Sequence, residues 1–315
     1  LRAAIIEATE SAFAPGLLIV DKEAWGFRNE MAGALAAARR RGARIVLGVR
    51  DVLDEPGPLA EEWRRKGHAD AIRRYFDEIW VYGLPQVCRP LEGLGLEREI
   101  LDRVVYTGYL RRDAPDWPSD VGAAPPEKPY VLVTTGGGGD GEGLVDWTLS
   151  AYESDPTLGP HAVIVYGPFL HAEKRAEFDR RALALRGRVT ALSFDSRIER
   201  LLAESAGIIA MGGYNTFCEI LSLDKPAVIA PRTRPRLEQY IRAEAAERLG
   251  LARMLLPERD GRGPEAMAAA IRGLADQPPP SAAPIPGLLD GLEAVSERAA
   301  LALGAPRSPA RRAVG

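Results

Sequence analysis

Short apolar runs alternate with helical patterns along this chain, halt at a proline-rich segment, and then start again. That rhythm limits the fold more than any other feature, because β–α alternation builds a parallel sheet with helices on its faces. In the first third, strands are expected at 16–21 (GLLIVD), 43–49 (ARIVLGV), 78–83 (EIWVYG) and 103–108 (RVVYTG). Helical stretches lie between them at 29–41 and 61–76. Residues 111–129, RRDAPDWPSDVGAAPPEKP, can continue neither strand nor helix and read as a linker. Strands are then expected at 130–135, 161–167, 189–194, 207–211 and 226–231, with a short one at 252–256. Helices are expected at 198–206, 237–250 and, after a proline-rich break, 288–303. The reading is α/β, with two parallel-sheet domains at 1–122 and 123–315. The second takes in the last helix and a tail, GAPRSPARRAVG, read as disordered with its arginines solvated.

Composition removes several classes of function. With 315 residues the chain exceeds one small core, and 46% hydrophobic against 27% charged residues fits a soluble globular protein. A net charge of −3 supplies no basic field for nucleic acid. The two cysteines, Cys88 and Cys218, lack metal-ligand spacing and suit a reducing cytoplasm rather than a disulfide scaffold or zinc site. No cofactor or metal site is expected, and no apolar run is long enough to span a bilayer. The chain opens at Leu1 inside a stretch, LRAAIIEATESAF, that reads as a helix already under way. The expectation is a piece of something longer.

In open α/β sheets ligands bind beyond the carboxyl ends of the strands, so the residues after each strand are the candidates. After YVLVTT comes GGGGDGEG (136–143), directly before a helical stretch. Gly136, Gly137, Gly138 and Gly139 allow main-chain amides to approach an anion at a helix start. The competing reading is a plain solvent loop. No GK[ST] follows, so this is not a Walker A loop, and the dinucleotide fingerprint is also missing. A second turn, MGGYNTFCE (211–219), offers Gly212, Gly213, Tyr214, Asn215, Thr216 and Glu219. Here too there are two readings. Thr216 and Glu219 have capping-box spacing, while a glycine turn at a helix start also suits an anion, with Glu219 accepting from ribose hydroxyls. After PAVIAP, Arg232, Arg234 and Arg236 are possible phosphate partners or ordinary solvated arginines. Glu238 and Gln239, at the next helix start, suit sugar hydroxyls.

With these motifs in place, residues 128–256 resemble the donor-binding half of GT-B glycosyltransferases, close to family 28 and the MurG-like enzymes. The matching elements are VTTGGGGDG, GGYNTFCE and LEQY. The front third (DKEAWGFRNEM, LGVRDVLDEP, YFDEIWVYG, YTGYL) resembles a bacterial group of MurG-like glycosyltransferases. The resemblance implies two Rossmann-like domains. It also implies a nucleotide-sugar donor, UDP-linked, with Glu219 on the ribose, the glycine turns on the diphosphate and Gln239 on the sugar. The base would sit near the loop after VTALSF, with Phe194, the last residue of that run, as its implied wall. In this family a glycine-rich loop, often with a His, opens the N-terminal domain. No such loop precedes Leu1 in this sequence, so that domain is expected to be incomplete.

A hexosyl transfer would follow, without metal, to a sugar, small-molecule or lipid-linked acceptor entering between the domains. Lipid-linked acceptors would bring the protein to the inner face of the membrane. For the base, strand-end carboxylates Asp21, Glu23 and above all Asp51 are the candidates, with a salt-bridged loop anchor as the plainer role. His68, His161 and His171 read as ordinary surface residues. Two rivals stand beside transfer: a non-catalytic or partner-dependent nucleotide-sugar-binding module, and a sugar-nucleotide epimerase or hydrolase on the same frame.

Overall fold

The computed structural model describes residues 1–113, 129–137, 139–195 and 198–304. Every strand expected from the apolar runs is present. The chain divides into two compact units, one of residues 1–110 with 286–315 and one of residues 111–285.

The first unit begins with α1 (Arg2–Phe13) and β1 (Leu17–Asp21), followed by α2 (Ala32–Arg40) and β2 (Arg44–Arg50). Next come α3 (Pro56–Lys66), α4 (His68–Tyr75), β3 (Glu78–Tyr82), α5 (Arg98–Leu101) and β4 (Val104–Tyr106). The strands form a parallel sheet in the order β1-β2-β3-β4. Ile45, Leu47, Val49, Ile79 and Val81 are buried in its core. The helix expected over 61–76 is two helices. Gly67 ends α3 in the left-handed region at φ 64°, and its carbonyl accepts from Trp25 Nε1 at 3.0 Å, fixing the break.

The second unit alternates strand and helix: β5 (Tyr130–Thr134), α6 (Glu142–Ser154), β6 (His161–Val165), α7 (Ala172–Ala184), β7 (Val189–Leu192), α8 (Ile198–Glu204), β8 (Gly207–Ala210) and α9 (Tyr214–Ser222). It continues through β9 (Ala227–Ile229), α10 (Glu238–Arg248), β10 (Arg253–Met254), α11 (Pro257–Asp260) and α12 (Pro264–Gly273). All strand pairs are parallel, in the order β10-β9-β8-β5-β6-β7. Every residue of β5 is buried, as a strand covered on both faces requires, which is why it reads as an unbroken apolar run.

The last helix, α13 (Gly291–Ala302), corrects the expected division of the chain. It belongs to the first unit, not to the second domain. Main-chain bonds tie its approach to the end of the first unit: Tyr109 N donates to Leu288 O at 2.8 Å and Gly291 N to Tyr109 O at 3.1 Å. Arg298 then pairs with Glu78 at 2.9 Å. The boundary lies at 110/111, not near 122. Most of the expected linker (114–128) and the tail (305–315) lie outside the described residues.

Candidate functional site

The site is built where the order of the second sheet reverses. From β5 the chain moves outward through β6 and β7, then returns to place β8 on the other side of β5. A reversal of this kind leaves a crevice at the carboxyl ends of the two strands that flank it. Thr134 of β5 and Ala210 of β8 are register partners, so the 135–141 loop and the 211–213 turn leave neighbouring strands at one edge. The two glycine elements are therefore adjacent, about one strand spacing (~4.8 Å) apart at their roots.

Local sterics explain several glycines. A Cβ at Gly141 would lie 2.2 Å from the Thr135 Cβ, and Thr135 itself is buried with its hydroxyl on the Tyr166 carbonyl. Gly212 has φ 80°, and a Cβ there would lie 2.6 Å from Ile229 Cγ2. Gly213 is the N-cap residue of α9, and no side chain caps that helix. Among the described residues, the amides of Gly213, Asn215 and Thr216 find no acceptor, and neither do those of Glu142 and Gly143 at the start of α6. Both helix starts thus present main-chain donors and the positive ends of their dipoles. Gly136 N makes a 3.3 Å contact with its neighbour Thr134 Oγ1, and Gly137 O accepts from Phe169 N at 3.0 Å. Gly139 lies in the same turn, and Gly138 lies outside the described residues.

Four contacts hold the loops. Arg232 Nε lies 2.7 Å from Asp140 Oδ2, joining the loop after β5 to the loop after β9. Arg232 Nη2 pairs with Glu238 at 2.7 Å, and the Arg232 main-chain N donates to Gln239 Oε1 at 3.1 Å. Gln239 thereby keeps its amide NH2 as a donor. Arg242, 1% exposed, donates from Nη1 to Gly212 O at 2.8 Å. Between these loops is a hollow of about 220 Å³, lined by Asp140, Gly143, Trp147, Met211, Arg232 and Pro257 among others.

Glu219 is not part of a cap. The helix starts at Tyr214, so Thr216 is its third residue and Glu219 lies in the second turn, out of reach of the free amides. Asn215, Thr216 and Glu219 share the polar face of α9, while Tyr214, Phe217, Cys218, Ile220 and Leu221 are buried. Among the described residues the Glu219 carboxyl makes no hydrogen bond or ion pair. Burial pushes its pKa up to about 7; the nearby Glu199 carboxylate adds to this and Arg112 opposes it.

Other expected residues are placed differently. Phe194 is 63% exposed beyond β7, the outer strand, two positions from β5. Phe169, which sequence reasoning passed over, is 71% exposed and stands closer to the glycine loop, its ring 3.5 Å from where a Gly137 Cβ would be. Arg232 pairs with Asp140 and Glu238, while its buried Nη1 finds no hydrogen-bond partner among the described residues.

Asp51 is a structural anchor, correcting its candidacy as a base. It is 0% exposed, Oδ1 accepts from Val52 N at 2.7 Å, and Oδ2 accepts from the Tyr109 hydroxyl at 2.7 Å. A fully enclosed carboxyl meets no acceptor hydroxyl. Glu23 pairs with Lys66, and its Oε2 lies 3.2 Å from His68 Nε2. His68 is buried, not on the surface, and burial lowers its pKa. Among the described residues, no group of three or more His, Cys, Asp or Glu side chains can hold a metal ion, and no helix is long and apolar enough to cross a membrane.

Residues 132–283 match the glycosyltransferase family 28 C-terminal domain, which covers both glycine turns, Glu219 and Gln239. Comparison with curated proteins gives no match. Among solved structures the chain is similar to the calicheamicin glycosyltransferase CalG4, at 16% identity and TM-score 0.59, covering 100% of this chain and 79% of that one. It is also similar to MurG of Acinetobacter baumannii, at 14% identity and TM-score 0.57, covering 96% and 77%. S. aureus MnaA, solved with UDP, matches at 14% identity and TM-score 0.60, covering 98% and 83%. At these identities the likeness is one of fold. Residues 132–283 thus match the family 28 C-terminal domain, and the two parallel-sheet units have the fold of the GT-B glycosyltransferases.

Proposed function

We propose that the protein transfers a hexosyl group from a UDP-linked sugar to a hydroxyl-bearing acceptor, with the donor held in the second unit. The observation that carries this reading is the pair of helix starts flanking the sheet reversal, with the unpartnered Glu219 carboxyl on the same α9 face as Asn215 and Thr216.

In such a transfer the anomeric C–O bond to the diphosphate breaks and a bond to the acceptor oxygen forms, the acceptor losing its proton to a base. UDP leaves with increased negative charge. The amides of Gly213, Asn215, Thr216, Glu142 and Gly143 are fixed in place and suit that charge without reorganising. We assign this stabilisation to the helix starts rather than to a metal. The Glu219 carboxylate suits two ribose hydroxyls, which would supply the donors it lacks among the described residues. The Gln239 NH2, with its oxygen already occupied, suits a hydroxyl of the sugar. Phe169 or Phe194 would flank the base; Phe169 has the shorter path to the glycine loop.

Calorimetric titration with UDP, UDP-glucose and UDP-N-acetylglucosamine tests the reading. Binding of UDP that survives unchanged in Glu219→Ala removes Glu219 from the ribose. Release of UDP at the full rate with no acceptor present favours an epimerase or hydrolase over a transferase.

A further inference from the structure

Arg242 is a fully buried cation that the donor reading does not use. It lies in α10, one turn beyond Gln239, and its guanidinium reaches back to the turn after β8. Nη1 donates to Gly212 O at 2.8 Å, and the guanidinium carbon lies 5.8 Å from the centre of the Tyr214 ring. Burying an arginine is costly, so its contacts need to be specific.

The contact matters because of what shares the peptide plane. In a trans peptide the carbonyl and the following N–H point in opposite directions. The Gly212–Gly213 bond is trans, since the cis bonds among the described residues lie at Pro160 and Pro235. A Gly212 carbonyl held inward by Arg242 therefore turns the Gly213 N–H outward. That N–H finds no acceptor among the described residues and stands at the N-cap of α9, beside the open amides of Asn215 and Thr216. Gly212 needs φ 80° to present its carbonyl this way, a conformation glycine adopts freely. Successive outward N–H groups of this kind form an anion-binding nest.

We propose that Arg242 is a positioning residue for the diphosphate: it fixes the Gly212–Gly213 peptide so that the Gly213 N–H donates to a phosphate oxygen, and it never touches the ligand itself. This rests on the donor reading and adds the device that orients one donor of its cradle. It also explains why a charged side chain is buried here, since a guanidinium holds the carbonyl more firmly than a neutral donor.

The test compares UDP with uridine, which lacks the phosphates. Arg242→Met is expected to weaken UDP binding roughly tenfold or more, the size of one lost charge-assisted hydrogen bond, while uridine affinity stays within about threefold. Arg242→Lys, which keeps a donor, is expected to recover part of the loss. Gly213→Pro removes the N–H at φ −58°, an angle proline accepts, and is expected to weaken UDP about tenfold more than Gly213→Ala does. In the Gly213→Pro background, Arg242→Met is expected to add less than about threefold, because both changes remove one contact. If Arg242→Met does not fold, the Gly213 pair and Arg242→Lys decide. Folded Arg242→Met that binds UDP like wild type overturns the proposal, as does an equal loss for UDP and uridine. Wild type that binds no UDP overturns the donor reading itself.

Discussion

Thr134 and Ala210 are register partners at the carboxyl ends of β5 and β8. From these two residues the chain enters the two glycine turns, so segments 76 positions apart in sequence begin side by side. A loop whose only task was to clear the sheet would need neither the adjacency nor the open amides. On the proposed donor reading, this pairing is what suits the edge to an extended anion.

Glu219 should affect affinity and stability in opposite directions. Glu219→Gln is expected to weaken UDP-sugar binding at least tenfold at pH 8, read by calorimetry. It should also stabilise the free protein. The folded carboxyl has its pKa raised to about 7, above the usual 4.5, so its contribution to stability is full below about pH 4.5 and is lost as pH rises through 7. Removing the charge at pH 8 is expected to add on the order of 1–2 kcal/mol after discounting for partial exposure, with little change at pH 4. Denaturant melts at the two pH values check this.

The same group sets a pH profile for donor binding. On the proposed ribose role Glu219 accepts when ionised, so UDP-glucose affinity should rise between pH 6 and pH 8 with a midpoint near 7. UDP-glucose is the right probe because its phosphates are both diesters and do not titrate in this range. A profile of the same slope in Glu219→Gln would assign the titration elsewhere.

Asp51 and Tyr109 predict a stability effect without a catalytic one. Tyr109→Phe leaves a buried carboxyl oxygen without its 2.7 Å donor and should cost roughly 1–3 kcal/mol in chemical denaturation. Turnover per folded molecule is expected to stay within about threefold. A large fall in kcat with stability intact would return Asp51 to the chemistry.

Gly141 tests the glycine loop by shape alone. Gly141→Ala places a methyl 2.2 Å from the Thr135 Cβ, forcing the loop to move. Gly143, where a Cβ meets nothing within 4 Å, provides the comparison. Gly141→Ala should weaken UDP binding several-fold more than Gly143→Ala, as measured by titration.

The strands were legible because parallel strands covered on both faces are apolar nearly throughout: β8 is wholly so, and β5 and β6 depart at one end each, at Thr134 and His161. The two glycine turns were legible for the same reason, since each follows such a run. The partner of α13 was not. An apolar face announces that a helix packs, but not against which unit, and proximity along the chain favoured the wrong one. Asp51 was misread because its partner, Tyr109, lies 58 residues further on and nothing local marks the pair. The T-x-x-E of Thr216 and Glu219 fits a cap or a ligand face equally well, and only the observed helix start at Tyr214 separates them. Arg242 looks like any arginine on a polar helix; its burial comes from the packing of α10 against the Gly212 turn.

A crystal structure of the protein with UDP tests the central claim most directly. Phosphate oxygens within about 3 Å of main-chain nitrogens at Gly213–Thr216 and at the start of α6, with the ribose hydroxyls on Glu219, are the result the account predicts. UDP bound away from the β5–β8 edge, or lying there with those nitrogens facing only solvent, would contradict it.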